Sequence, residues 1–403
     1  MSSNAKAVIF CMSKKTSVGI DLGTYHTKVM VLESALENGK TATKILGTGT
    51  AESKGLRHGY IINKTEASKS IQNAVGLAEK MSGLSISKAY VSIGGIGLSS
   101  VSSNGATIIS RADSEITELD VDKAIETSKS QIPAHYAVNR KILHRIPNMY
   151  KIDGKPIVGL RPTGMKGSKL EVKTLFVSAI EQHLEDLTEA VEEAGVEVVD
   201  FVASPIAASI VTLKKTQKIA GVVLANIGAE TVSIVVYENN IPVSLEVFPY
   251  GGTNITNDIA LGLKIPLEEA EEIKRGGVVG ANYPRRKLED IVCSRLKDIF
   301  ELIDGHLRKL GRNSLLPAGI VITGGSSKVA SIEDLARASL GLPSRIATLN
   351  FGGNIKNIND SVWAVAYGLC LIGLRDDEDA KIGADFVKKA GNKILEWFKH
   401  YLP

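Results

Sequence analysis

Residues 18–33 read VGIDLGTYHTKVMVLE and residues 223–238 read VLANIGAETVSIVVYE. They align without a gap: Asp21 falls on Asn226, Gly23 on Gly228, Val29 on Ile234, Val31 on Val236, and Glu33 on Glu238. Each stretch is an apolar strand, a polar turn containing Gly, and a second strand rich in β-branched residues, the pattern of a β-hairpin. A hairpin repeated in this way predicts two homologous halves facing each other. A tight turn after a strand exposes consecutive main-chain N–H groups, and such concavities bind anions, phosphate above all. Glycine there lets the backbone approach closely. Asp21, at the end of its strand, suits a hydrated Mg²⁺, which takes one or two carboxylates and keeps water.

Outward from the first hairpin, strands alternate with helices. Residues 65–81 place Ile71, Ala74, Val75 and Ala78 on one helical stripe, with Thr65 and Glu66 suited to its start. A strand at 89–93 ends in Gly94-Gly95. Residues 96–173 change texture to Ser-rich strands, a helix at 120–130, and a Pro- and Gly-punctuated segment from His144 to Gly167, which predicts an inserted subdomain. The buried-strand pattern resumes at 175–179, a helix at 181–194 ends at the capping Gly195, and a strand follows at 196–201. In the second half, helices are expected at 266–275 and 287–310. An apolar strand then runs into Thr323-Gly324-Gly325-Ser326-Ser327, with a helix at 332–340 behind it. Residues 361–374 predict a buried helix of small apolar residues, and 375–385 an acidic linker.

Composition narrows the function classes. The 403 residues are 44% hydrophobic and 23% charged, with a net charge of +4, which argues against disorder and against a basic nucleic-acid surface. The 3 Cys lie far apart, which argues against a disulfide framework or structural zinc and for a reducing compartment. No HExxH motif and no run of about 18 apolar residues occurs. The apolar stretch 7–12 is too short for a signal core, and Met12 is read as the initiator, with 1–11 as an extension.

The paired phosphate-type turns, the later Gly-Gly turn and the layout resemble the actin/Hsp70/sugar-kinase superfamily, whose nucleotide lies between two related lobes. Within it the chain is most similar to the FtsA family of bacterial cell-division actin homologues. Beyond the turns, the residues that carry this are Phe248-Pro249-Tyr250-Gly251-Gly252 with Thr256-Asn257-Asp258-Ile259-Ala260, and Ala270-Glu271-Glu272-Ile273-Lys274. His144-Arg145-Ile146-Pro147 with Tyr150, Ile152-Asp153-Gly154 and Val158-Gly159-Leu160, together with an amphipathic C-terminal segment, complete it. The resemblance covers residues 16–403. It implies an α/β, two-lobed actin-like ATPase fold with an inserted α+β subdomain and a C-terminal amphipathic helix. Lobe 1 would take 16–94 and 174–203, the insert 95–173, and the core of lobe 2 204–241 and 313–374. A small subdomain at 242–312, a linker at 375–389 and a membrane-targeting helix at 390–403 complete the expected division.

The same resemblance implies ATP and Mg²⁺ as ligands. Gly23, Thr24 and Tyr25 would clasp the phosphates from one lobe, and Gly228, Ala229, Glu230 and Thr231 from the other, with Gly251 and Gly252 lining the cleft and Mg²⁺ held at Asp21 through water. Glu271, Lys274 and Arg275 would hold ribose and base, above Gly324, Gly325, Ser326 and Ser327. Two departures matter: Asn226 stands where the family has an aspartate, and Glu230 where a glycine should pass close to phosphate. Asn226 cannot act as a base or give Mg²⁺ a charge, and Ser204-Pro205 replaces a frequent Glu-Pro, so ATP binding with little or no turnover is expected.

At the C-terminus, Ile394, Leu395, Trp397, Phe398, Tyr401 and Leu402 form one helical apolar face flanked by Lys388, Lys389, Lys393 and Lys399, suited to lie in a membrane interface. The basic helix at 287–310 includes Arg295 and Lys297, the candidates for receiving the C-terminal tail of the tubulin-like division protein FtsZ. Filaments, docking of downstream division proteins, and a peripheral location on the cytoplasmic membrane face at midcell complete the expectation. A PilM-like pilus-assembly adaptor and a small-molecule kinase share the phosphate turns and stand as alternatives; the kinase needs a carboxylate at position 226.

Overall fold

The computed structural model describes residues 14–349 and 361–382, apart from 38–39, 158, 160 and 277–282. Lobe 1 opens with the antiparallel hairpin of β1 (Lys15–Leu22) and β2 (His26–Glu37), extended by β3 (Lys40–Glu52). A two-stranded ribbon, β4 (Leu56–Arg57) and β5 (Tyr60–Ile61), turns through His58 and Gly59, both with positive φ as a two-residue hairpin turn of this hand requires. Helix α1 (Lys64–Ser82) is capped by Asn63, whose side chain accepts the Glu66 N–H, and ends at left-handed Gly83. Strand β6 (Lys88–Ile93) pairs parallel to β1.

The insert is a four-stranded sheet with one helix on its face. Its elements are β7 (Ser99–Ile108), α2 (Glu118–Ser130), α3 (Ala134–Ala137), β8 (Arg140–Ile152), β9 (Lys155–Pro156) and β10 (Lys169–Ile180), in the order β7-β10-β8-β9. It has its own core around Ile116, Ala124, Tyr150, Leu170 and Val172. The residues 175–179, expected as a strand of lobe 1, do lie in its core but pair within the insert sheet: β10 runs beside β7 and β8 to Ser178 and Ile180. The pattern misled because the lower end of this sheet packs into the lobe 1 core through Leu175, Val177 and Ala179, so it reads as a buried strand. His144 marks that junction: fully buried, its Nε2 accepts the Ala203 N–H at 3.0 Å.

Lobe 1 closes with α4 (Glu181–Glu193), β11 (Glu197–Ala203) and α5 (Ser204–Thr212); α6 (Lys215–Ala220) leads to lobe 2. There the elements are β12 (Val222–Ile227), β13 (Val232–Glu238), β14 (Ile241–Phe248), α7 (Gly252–Leu263), α8 (Leu267–Lys274), α9 (Arg285–Lys309), β15 (Ile320–Thr323), α10 (Ile332–Leu340) and β16 (Ser344–Ile346), after which α11 (Ala364–Ile382) returns to pack on β1, β2 and β6 of lobe 1. The repeat extends well past the hairpins. Lobe 1 runs β3-β2-β1-β6-β11 and lobe 2 runs β14-β13-β12-β15-β16, each with three antiparallel strands followed by parallel neighbours.

Helices α5 and α11 cross between the lobes at a contact with no spare room. A Cβ on Gly368 would stand 1.9 Å from the Ala207 carbonyl oxygen, and one on Gly19 2.5 Å from that of Ala366. Helix α11 continues to Ile382, through residues expected as a linker. Neither Gly nor Pro interrupts it between Gly373 and Gly383, so the acidic stretch offers no helix breaker.

Candidate functional site

At the first turn, register pairs Asp21 with Lys28 across the hairpin. The Asp21 carboxylate is buried and bonded at both oxygens: one accepts the Lys28 ammonium at 3.1 Å, the other the Ser92 hydroxyl at 3.1 Å. Ser92 Oγ also accepts the Leu22 N–H at 3.2 Å, so β6 braces the turn. The Lys28 ammonium lies beside the glycine, 3.7 Å from where a Gly23 Cβ would stand. This places one cation at the mouth of a glycine turn. Tyr25 projects outward, its ring edge-on to His26 at 4.5 Å.

The second turn carries no matching ion pair. Gly228 N–H closes it on the Thr231 carbonyl at 2.9 Å. The carbonyls of Gly228 and Ala229 take the N–H groups of Gly252 (2.9 Å) and Thr253 (2.7 Å), which ties the start of α7 to the turn. A Cβ on Gly251 would meet the Ala229 oxygen at 2.4 Å, so only glycine admits this approach. Asn226 sits under the third glycine turn: its Oδ1 is 2.4 Å from a hypothetical Gly324 Cβ, and Gly324 itself has φ +94°. Ser326 Oγ donates to the Gly228 carbonyl at 3.0 Å, and Ser327 Oγ to the Gly324 carbonyl at 2.7 Å. Both serine side chains are buried; Ser326 joins the third turn to the second, and Ser327 braces the third turn itself.

Beside them, α8 presents Glu271, Lys274 and Arg275. The Lys274 ammonium is enclosed by the Gly252 carbonyl (3.1 Å), Thr256 Oγ1 (2.8 Å) and Glu271 (2.5 Å). Burial pulls its pKa below the usual lysine range, against the opposing pull of Glu271. For Glu271, burial alone would raise the pKa, but hydrogen bonds from Lys274 and Thr256 outweigh it and the net shift is downward. Lys274 is thus a pin between α8 and the start of α7. Arg275, bonded to the Glu271 carboxylate at 3.0 Å, reaches out to lie 5.2 Å over the Tyr25 ring.

Two contacts bring the turns to one cleft. Arg275 of lobe 2 covers Tyr25 of the first turn, and Glu230 of the second turn accepts the main-chain N–H of His58 in lobe 1 at 2.5 Å. Direct contacts therefore link the segments Asp21 to Tyr25, Asn226 to Thr231, Gly251 and Gly252, Glu271 with Lys274 and Arg275, and Gly324 to Ser327. It adds Lys28, Ser92, His58 and Thr256, which the sequence reading missed. Lys28 was within reach: it faces Asp21 as soon as the hairpin register is drawn. His58 and Ser92 belong to other segments, and no local pattern marks them.

For the remaining candidates, Arg295 on α9 forks onto Asp258 of α7, at 2.6 and 3.0 Å, with Asp298 at 3.3 Å. The hydrogen bond it donates to Asp258 holds its guanidinium pKa above the ordinary range. Its charge is therefore committed to the α7–α9 contact, whereas Lys297 is exposed. The apolar residues Ile394 to Leu402 lie outside the described residues, as does Met12. Among the described residues, no helix is long and apolar enough to cross a membrane, and no three His, Cys, Asp or Glu side chains converge as a metal cage.

Comparison with known proteins bears on this arrangement. The PilM chain of a solved PilM-PilN type IV pilus biogenesis complex superposes with a TM-score of 0.66 at 17% identity, covering 89% of this chain and 98% of that one. MreB5 of Spiroplasma citri, solved bound to AMPPNP, superposes at 0.52 and 12% identity, over 92% and 99% of the two chains. The fold is therefore actin-like. A model of the SHS2 domain inserted in FtsA matches residues 95–178, close to the end of β10, and a model of cell division protein FtsA matches 223–368. Cell division protein FtsA of Pseudomonas aeruginosa is 30% identical over 391 residues, 91% of each chain. With the insert, the doubled sheet and the whole-length likeness in agreement, the chain belongs to the family of the cell division protein FtsA.

Proposed function

We propose that the chain binds ATP with Mg²⁺ in the cleft, assembles into filaments, and anchors the FtsZ division ring to the cytoplasmic face of the membrane at midcell. The observation that carries this reading is the convergence of two Gly-containing hairpin turns on one cleft, contacting each other's lobes through Glu230 and Arg275. The residues suit such a ligand. Lys28 offers a cation beside a glycine turn, glycines at 251 and 324 leave backbone where side chains would collide, and the Asp21 carboxylate is preorganised. Bound Mg²⁺ would neutralise phosphate charge, held near Asp21 through water. The protein's own groups would orient the nucleotide: main-chain amides of Gly23, Thr24, Gly228 and Ala229 toward phosphate, and α8 with Gly324 and Gly325 toward the nucleoside. Asn226 offers no base, which favours slow turnover. Closure over the ligand selects the conformer that polymerises.

Lys297, with Arg295 two positions before it, is the proposed contact for the C-terminal tail of FtsZ, and the 390–403 segment is the proposed membrane anchor. Filament contacts would run between the insert and the 242–312 subdomain, and downstream division proteins would dock on the assembled form. Sedimentation of the full chain with ATP·Mg²⁺ and anionic vesicles tests the reading. Expected are nucleotide-dependent pelleting with vesicles, loss of vesicle binding on deleting 390–403, and midcell localisation of a fluorescent fusion. A protein that neither binds ATP nor associates with vesicles overturns it.

A further inference from the structure

Glu230 occupies a position where a glycine-type phosphate turn has no side chain, and its carboxylate leaves its own lobe. Its Oε2 accepts the His58 main-chain N–H at 2.5 Å, while its carbonyl oxygen lies 3.3 Å from His58 Nδ1. Both ends of this link are stiff. On lobe 1, His58 (φ +48°) and Gly59 (φ +85°) make the tight turn between β4 and β5. That turn is wedged against the next glycine pair: a Cβ on Gly59 would stand 2.3 Å from the Gly95 Cα, and the Ile96 N–H donates to the His58 carbonyl at 3.3 Å. On lobe 2, Gly228 and Ala229 are held by the start of α7 and by Ser326. A charged acceptor joining two rigid, half-buried turns makes one of the stronger kinds of hydrogen bond. Two other contacts reach lobe 2: Arg275 lies over Tyr25, and the Ser100 hydroxyl of the insert bonds both the N–H and the carbonyl of Leu245 at 2.8 Å.

We infer that Glu230 is a built-in latch that holds the cleft closed before any nucleotide arrives, by placing an internal carboxylate on the lobe 1 amide of His58. The inference rests on, and deepens, the reading of the cleft as a nucleotide site. Closure, the step that precedes assembly, is then not reserved for the nucleotide-bound protein, and nucleotide enters and leaves only as the latch opens.

Hydrogen–deuterium exchange of the full chain, with and without ATP·Mg²⁺, tests this on the wild type, Glu230→Ala and Glu230→Gln. Without nucleotide, the His58 amide should exchange at least tenfold faster in Glu230→Ala than in the wild type. In Glu230→Gln, which keeps a neutral acceptor, the rate should lie between them. The amides of β1 and β12 report an intact fold. Equal His58 protection in the wild type and Glu230→Ala overturns the latch, whatever nucleotide does. If Glu230→Ala loosens the core as well, Glu230→Gln decides: His58 exchange unchanged from the wild type overturns the proposal, and faster exchange over an unchanged core supports it. Added ATP·Mg²⁺ should restore His58 protection in the variants. A latch effect without any response to nucleotide leaves the latch standing and removes the nucleotide reading instead.

Discussion

The two hairpin turns descend from one pattern and are built on opposite principles. The first is electrostatic: Asp21, Lys28 and Ser92 form a compact, mostly buried network within lobe 1. The second is mechanical: main-chain bonds to α7, a buried serine to the third turn, and a glutamate that reaches the other lobe. The contrast teaches that a duplicated scaffold preserves strand order and register while the turn side chains diverge. One turn has kept an ion pair beside the glycine. The other has Asn226 at the corresponding position and carries a carboxylate in the turn itself, at Glu230.

The largest expected effect tests that asymmetry directly. Asp21→Ala strands the Lys28 charge in a site where the lysine side chain is 14% exposed, and should lower unfolding free energy by about 3–5 kcal/mol in urea titration. The matched change, Asn226→Ala, exposes no charge and should cost only about 1 kcal/mol. Equal costs would erase the distinction between the turns. Next is acid. Burial pushes His144 down to about 4, and the unprotonated Nε2 accepts the Ala203 N–H. A histidine with a depressed folded pKa contributes fully above the unfolded value near 6.5, and that contribution is lost as pH falls toward about 4. Stability measured across that window should drop by about 2–3 kcal/mol, and His144→Leu should flatten the slope.

Gly251→Ala drives a methyl group against the Ala229 carbonyl, 2.4 Å away, and should cost about 1–3 kcal/mol by thermal melting, with nucleotide affinity falling alongside. Gly23→Ala, whose nearest obstacle is the His26 carbonyl at 2.9 Å, should cost less, a further measure of how much tighter the second turn is packed. Smallest is Arg275→Ala. It removes a partly exposed cation–π contact worth about 0.5–1 kcal/mol, so nucleotide affinity should fall roughly two- to fivefold.

Much of this architecture is written in the chain locally. The hairpin pair, the helix carrying Ile71 to Ala78, and the strand running into Gly324 depend on neighbours in sequence, and the patterns at those positions predict what forms. What escaped depends on contacts across long separations. Residues 175–179 read as a lobe 1 strand because burial, not sheet membership, is what an apolar run reports. Ser326 and Ser327, expected beneath a nucleoside, also brace main-chain carbonyls with their hydroxyls, a choice no local pattern encodes. Glu230 looked like an obstruction beside phosphate; its partner lies 172 positions away, at His58, and only the fold brings them together.

The crossing of α5 and α11 has a consequence for how the halves can move. The chain leaves lobe 1 through the first of these helices and returns through the second, and their backbones touch at Gly368 and Ala207 without room for one methyl group. Such a junction resists sliding, because any translation drives main chain into main chain. It leaves rotation as the soft coordinate, so the lobes should swing like scissor blades about a rivet.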